Sequence, residues 1–494
     1  MPTMTAPSSG VKIRMYCQGQ GDCFLLALPG EDGQPRYMLI DCGLHHGVGT
    51  KAEREARMIE IAENIKTSTG GHVHLVVATH EHTDHINGFS YAADVFTDPA
   101  FTFDRLWMAW TEDPNDPEVV RIKDELHLEM RILLAAAQRL RVLGAVREAD
   151  MVNALLGYSG YNSHSMEILN GLAEASYLRQ GDGPLEIPGV PSVRFFVLSP
   201  PHDYDFVMKW PNHHPDDVYG LRMLPLNAQN AMLAAVAARG AEAERKELGD
   251  EAYKEPREFA AAAAIENRLE ASQPFAWDYR IDEARVADSP SAEFFKKHYG
   301  VGKGSEYPDA WRRIDTDWLR AAETVALKLG SRVNNTSLVL ALQFVNSGKV
   351  LFFPGDAQAE SWNSWHDNEV AWEVNGEDIT VEDLLENTVY YKASHHGSHN
   401  ATLRTRGLEI MDGERLVSML PVGANNDFGH PAEGVLEALK RKSKGRVIRA
   451  DEDTPASPPS GVTAAGWTDF RGRLDEVRDS TGGHKLYSEY VVEE

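Results

Sequence analysis

Residues 79–89 read THEHTDHINGF, which places His80, His82, Asp84 and His85 within six residues. Four metal-competent side chains so closely spaced constrain this chain more than any other stretch of it. The segment before them, HVHLVVAT, is apolar and β-branched and predicts a buried strand ending near Thr79. The cluster then falls on a loop at a strand end, where side chains can converge on one point. His80 and His82, two apart in extended chain, project to the same side and can grip one cation. Asp84 and His85 follow the turn and can face a second. The bland alternative is a surface loop that happens to be rich in His and Asp. A spaced motif in a strand-to-loop context is far more specific than a lone histidine.

The rest of the chain predicts a soluble enzyme-sized framework around that loop. VKIRMYC, CFLLALP and RYMLIDC read as three strands separated by turn-rich QGQGD and GEDGQP, and a helix is expected from about Lys51 to Ile65. FDRLWMAW and SVRFFVLSP read as further strands. Residues 117–150, 222–272 and 308–329 have helical spacing or an Ala-, Glu- and Arg-rich composition, and together predict a mainly helical insertion. It could pad the core, or form a lid, a substrate wall or a surface for a regulatory protein partner. Strands resume with TSLVLALQF, GKVLFFPGD, NTVYYKASHHGS and RLVSMLPVG; TPASPPSG reads as loop, and KLYSEYVV as a last strand.

Charge and cysteine content narrow the function classes. With 75 acidic against 49 basic residues the net charge is −26, so a broad, non-specific grip on DNA or RNA is disfavoured. A phosphodiester substrate stays open, because cations in a cleft reverse the local field. Cys17, Cys23 and Cys42 fit no zinc knuckle and are expected to be small core residues in a reducing compartment. MPTMTAPSSG lacks the layout of a signal peptide, and no apolar run approaches the roughly 18 residues of a membrane span. A cytoplasmic location without membrane contact is the expectation.

Beyond the metal loop, chemistry-bearing residues recur at strand ends. Asp356 in LFFPGDA can lie between two cations, and His395 or His396 in KASHHGSH can complete the second cation's ligands. Asp41 in MLIDCG occupies the same kind of position and could support a ligand or be structural. For an isolated GD or HH dipeptide a turn would be the better reading; their recurrence at strand ends changes the weighing. His202, His213 and His214, in the inserted region, are expected to be solvated.

GQGDCFLL, LIDCG, THEHTDH, NNTSLVL, FFPGDA, KASHHGS and GANNDFGHP follow the order seen in the metallo-β-lactamase fold. Within it, the chain most resembles the soluble hydrolase domain of ComEC-type competence proteins and their stand-alone relatives, over roughly residues 11–110 and 330–450. The resemblance implies an α/β, four-layer αββα sandwich: first half 1–110, helical insertion 111–330 with a core strand near 192–199, second half 331–450, tail 451–494. It implies His80, His82, Asp84, His85, Asp356 and one of His395 or His396 as ligands of two divalent cations, zinc or manganese. One departure stands out, since Asn334 or Asn335 occupies the place of a further histidine, and an Asn carbonyl is a harder, weaker ligand. Asp84 is expected to act also on the nucleophile, a hydroxide bridging the two cations, with Lys392 and His430 touching a phosphate or protonating the leaving group. The expected activity is that of a metal-dependent phosphodiesterase or nuclease acting on a phosphodiester, DNA or RNA included. A lactone, ester or β-lactam hydrolase, or a partner-gated nuclease, is the alternative.

Overall fold

Cys23–Pro29 is apolar almost throughout, the mark of a strand covered on both faces. Its alternate residues go to different places. Phe24, Leu26 and Leu28 join one apolar cluster, whereas Cys23, Leu25 and Ala27 join another. The same division by period two runs through the neighbouring strands. The computed structural model in which this is seen describes residues 3–45, 48–142, 163–208, 290–300, 329–424, 429–460 and 462–494.

Fourteen strands build two large sheets. They are β1 (Gly10–Tyr16), β2 (Cys23–Pro29), β3 (Pro35–Cys42), β4 (Leu75–Ala78), β5 (Leu106–Ala109), β6 (Ala175–Leu178) and β7 (Val193–Ser199), then β8 (Val339–Phe344), β9 (Val350–Phe353), β10 (Thr388–Lys392), β11 (Val417–Leu420), β12 (Val447–Arg449), β13 (Leu474–Arg478) and β14 (Lys485–Glu493). The first sheet runs β13-β14-β1-β2-β3-β4-β5-β6 and the second β12-β11-β10-β9-β8-β7. β3, β4, β5 and β6 are mutually parallel, as are β9, β10, β11 and β12. The last strand pairs antiparallel with the first along its whole length, from Gly10↔Glu493 to Tyr16↔Tyr487.

Three clusters hold these sheets. One draws on both, with Phe24, Met38, Val77, Phe195, Leu340, Leu351 and Met419 among its members. The second combines the eight-stranded sheet with Met58, Ile61 and Ile65 of α1 (Lys51–Ser68), Ile86 and Phe89 of α2 (Thr83–Tyr91), and Leu169. The third combines the six-stranded sheet with Trp362, Trp365, Leu384, Val435 and Leu439 from three further helices. α1 extends to Ser68, past the expected Ile65, and starts at a capping box in which Thr50 and Glu53 satisfy each other's backbone N–H.

The expected strand HVHLVVAT is divided. His72–Val73 pairs with Thr102–Phe103 in a separate two-stranded sheet, and only Leu75–Ala78 joins the large one. The break falls at His74, whose Nδ1 replaces a backbone carbonyl as the acceptor of the Tyr37 N–H at 3.0 Å.

The chain falls into two compact units, one of Met1–Ile122, Gly157–Arg222 and Gly330–Glu494, the other of Lys123–Leu156 and Met223–Leu329. A helix occupies Pro117–Val142 and another Ala292–Tyr299. The helical segments expected at 222–272 and 308–329 lie outside the described residues, Leu329 excepted. Among the described residues no helix is long and apolar enough to cross a membrane.

Candidate metal centre

Parallel strands present their carboxyl ends at one edge, and the candidate residues gather there. Asp41 sits near the end of β3, the THEHTDH loop follows β4, Asp356 follows β9, and Lys392, His395 and His396 follow one another out of β10. Three of these residues have left-handed backbone without being glycine: Asp41 (φ 56°), His395 (φ 46°) and His396 (φ 52°). Such positions cost about 1–3 kcal/mol each and persist where surroundings enforce them.

Close approach of three loops is what brings the first-half residues in. The Asp22 N–H donates to the Asp84 carbonyl at 2.9 Å. A Cβ at Gly43 would lie 2.2 Å from the Asp84 carbonyl carbon, and one at Gly21, 2.4 Å from the Gly43 oxygen. Only glycine permits that contact. Gln18 ties the same loops through Nε2, which donates to the Gly21 and Gly43 carbonyls.

The imidazoles are oriented from behind. His85 Nδ1 is 2.7 Å from Asp41 Oδ2, which turns Nε2 toward Asp356 Oδ2 at 3.1 Å. His396 Nδ1 donates to the Pro421 carbonyl at 2.7 Å, leaving Nε2 2.9 Å from Asp84 Oδ2 and 3.6 Å from Asp356 Oδ2. A histidine whose one ring N–H is committed to an acceptor behind it presents the other nitrogen as a lone pair, the usual arrangement of a metal ligand. His80 Nδ1 lies 3.1 Å from Thr79 Oγ1 and 3.3 Å from Ser337 Oγ, with Nε2 3.0 Å from His82 Nδ1. Thr79 Oγ1 in turn donates to Asp41.

Ligand atoms of Asp22, His85, Asp356 and His396, all buried, lie within 4.8 Å of one another. His395 stands nearer the mouth, its Nε2 3.8 Å from Asp356 Oδ2. Asn334 faces His395 at 3.4 Å, whereas Asn335 Oδ1 is taken by the Gln358 N–H and the Ser361 hydroxyl. Of the two asparagines only Asn334 is therefore placed to serve the site. Asp84 Oδ1, His85 Nε2 and Asn334 Oδ1 are buried with no hydrogen-bond partner, the 3.1 Å approach of His85 to Asp356 being out of hydrogen-bond alignment. Buried polar atoms left short in this way are costly. A divalent cation would satisfy them together, and the mixed imidazole and carboxylate donors suit zinc or manganese.

Charge at the site is polarised strongly. Burial works against charge on His85, but Asp356, Asp41, Asp22 and Asp84 outweigh it and hold the ring well above its ordinary range. Burial also works against Asp84 and Asp356, yet His85 and His396 keep both carboxyls below theirs. Burial lowers His80 and takes His82 down to about 3 and His395 to about 4.

Lys392 is engaged on the protein side. Its side chain is 1% exposed, and its Nζ donates to the Gly355 carbonyl at 2.6 Å and lies 3.2 Å from Asp356 Oδ1 and 2.5 Å from Asp22 Oδ2. Three N–H groups facing three acceptors leave none for a substrate phosphate. Burial pushes the Asp22 carboxyl up. Burial also opposes charge on Lys392, but Asp22 and Asp356 hold the ammonium above its usual range. With two carboxylates and a carbonyl around it, the ammonium is the firmer member of the pair. His430 is different: it is half-buried, its ring 5.3 Å from that of His395, with Nδ1 3.2 Å from Gln20 Nε2. His202 pairs with Asp116 at 2.9 Å; His213 and His214 lie outside the described residues.

Sequence reasoning missed Asp22. It looked to strand ends, and Asp22 precedes a strand. β2 runs antiparallel to β3 in the register Cys23↔Cys42, so the start of one lies at the end of the other. An acid directly after a Gly-x-Gly turn, QGQGD, opposite LIDCG was the available signal.

Residues 18–215 match the family model of the metallo-beta-lactamase superfamily. The chain carries a metallo-beta-lactamase superfamily domain. The match takes in Asp22, Asp41 and the whole THEHTDH loop, whereas Asp356, His395, His396 and His430 lie beyond it. Members of the metallo-beta-lactamase superfamily are usually metal-dependent hydrolases, and the buried Asp and His cluster accords with that chemistry. A search of curated proteins found no match.

Proposed function

We propose that this chain is a metal-dependent phosphodiesterase or nuclease, built as a four-layer αββα sandwich with a helical insertion, and related to the ComEC-type hydrolases. The layered reading is supported by the three apolar clusters, one drawing on both sheets and one on each sheet with helices. The observation that carries the activity is the carboxylate-rich donor set: Asp84 and Asp356 beside His80, His82, His85 and His396, with buried atoms aimed inward and unsatisfied. Two zinc or manganese ions bound there would supply Lewis acidity for a phosphoryl oxygen and acidify water at neutral pH.

The chain's own residues do the rest. Asp84 keeps one oxygen against His396 and the other buried and unsatisfied, so it can accept a hydrogen bond from a nucleophilic water and orient it. His430, held neutral by burial and by the neighbouring His395 and His396, stands at the half-exposed side of the cluster. There a neutral imidazole can donate a hydrogen bond to a substrate oxygen. An acidic chain with a net charge of −26 favours a small phosphodiester, or a nucleic acid admitted only locally, over a long non-specific contact.

The test is cleavage of single- and double-stranded DNA, RNA and bis(p-nitrophenyl) phosphate with added Mn²⁺ or Zn²⁺, comparing wild type with Asp84→Ala. Diester cleavage should appear in the wild type and fall by about 10³-fold or more in the variant. Faster turnover of lactones or carboxylic esters than of any phosphodiester would replace this reading with that of an acyl hydrolase.

A further inference from the structure

The two oxygens of Asp356 are used differently. Oδ1 lies 3.2 Å from the Lys392 ammonium. Oδ2 points the other way, 3.1 Å from His85 Nε2, 3.6 Å from His396 Nε2 and 3.8 Å from His395 Nε2. Asp22 is divided in the same sense, with Oδ2 2.5 Å from Lys392 and Oδ1 3.5 Å from His396 Nδ1, a nitrogen already committed to the Pro421 carbonyl. Asp22, His85, Asp356, Lys392 and His396 are all buried.

We propose that Lys392 is a built-in monovalent cation that reserves Asp22 Oδ2 and Asp356 Oδ1, so that each carboxylate has a single oxygen left for divalent cations. Lys392 is then a positioning residue, and the inference rests on reading the neighbouring cluster as a divalent-cation site. Its physical basis is direct. An ammonium whose three N–H groups meet two carboxylates and a carbonyl, out of reach of water, has no energetic reason to leave them. A carboxylate fixed through one oxygen cannot turn to chelate with both. The donor set therefore stays smaller and richer in imidazole than the number of nearby carboxylates suggests, which restrains the preference for hard, oxygen-seeking ions.

Two other roles for Lys392 make different demands. A purely structural ion pair would change thermal stability and leave the bound metal as it was. A substrate contact would change KM for the diester and leave the bound metal as it was. The experiment uses the full chain stripped with a chelator and titrated with Mn²⁺, Zn²⁺ and Co²⁺, with affinity and count read by calorimetry and elemental analysis and coordination by the Co²⁺ absorption spectrum. In Lys392→Met the freed oxygens should join the donor set. Mn²⁺ affinity is expected to rise about tenfold relative to Zn²⁺, and the Co²⁺ bands to weaken as coordination number increases. Unchanged affinities and spectrum in Lys392→Met overturn the proposal. If Lys392→Met does not fold, Lys392→Gln gives the same readout and decides in its place. Failure of the wild type to bind any of the three ions would sink the underlying reading instead.

Discussion

Two His-x-His pairs lie eight residues apart in this chain, each with an aspartate nearby, and they differ in everything but composition. His72 and His74 stack at 4.2 Å between ring centres with Asp104 beside them, and ligand atoms of the three come as close together as those of the deep cluster. Yet His72 and Asp104 are substantially exposed and already paired at 2.9 Å. His74 accepts the Tyr37 N–H at Nδ1, which places its own proton on Nε2, the nitrogen that would have to coordinate. His85 and His396 are arranged the opposite way, engaging Asp41 and Pro421 behind themselves through Nδ1 and turning Nε2 inward. Spacing alone makes a pair of histidines possible ligands. The hydrogen bond on the far side of each ring determines whether they can act as ligands.

That contrast can be broken most sharply by deleting each cluster in turn. Asp356→Ala should abolish bound metal and cut bis(p-nitrophenyl) phosphate hydrolysis by about 10³-fold or more, whereas the triple change His72→Ala, His74→Ala, Asp104→Ala should keep both within about twofold. Elemental analysis and a steady-state assay read the result, and metal lost from the triple variant would end the comparison. A smaller effect should come from the support behind the ring: Asp41→Asn, which weakens the acceptor for His85 Nδ1, should lower metal affinity by about 10–100-fold while the chain still folds. Titration calorimetry decides it.

The smallest effect concerns the outer pair. Burial and the nearby His72 take His74 from its ordinary 6.5 down to about 4. Between those values the unfolded chain binds a proton that the folded chain refuses, so stability is lost as pH falls from 6.5 toward 4. Because the ring is only partly buried the loss is modest, about 1 kcal/mol. His74→Gln should flatten the midpoint-against-pH curve in that window, as denaturant unfolding at several pH values would show.

How much of this was legible in the sequence follows the geometry. THEHTDH could be read because its residues are neighbours in the chain, and the superfamily with it. Asp356 and the His395–His396 pair could be placed because each follows an apolar run into a loop. Asp22 could not, because its position depends on antiparallel register between β2 and β3. The partners of Lys392 are hidden for the same reason, since Asp22 is one of them. Nor does any local pattern mark His74 as a break in a strand, since the acceptor role that causes it needs Tyr37 from another strand.

The candidate centre also has a mechanical meaning. His80, His82, Asp84 and His85 hang from the eight-stranded sheet, whereas Asp356, His395 and His396 hang from the six-stranded one. Any ion gripped by both sets is a rivet across the seam, and sliding one sheet over the other would have to shear it. Resistance to heat should then climb with the logarithm of free ion concentration once that exceeds the dissociation constant. The candidate centre would thus double as the fastening of the body that carries it.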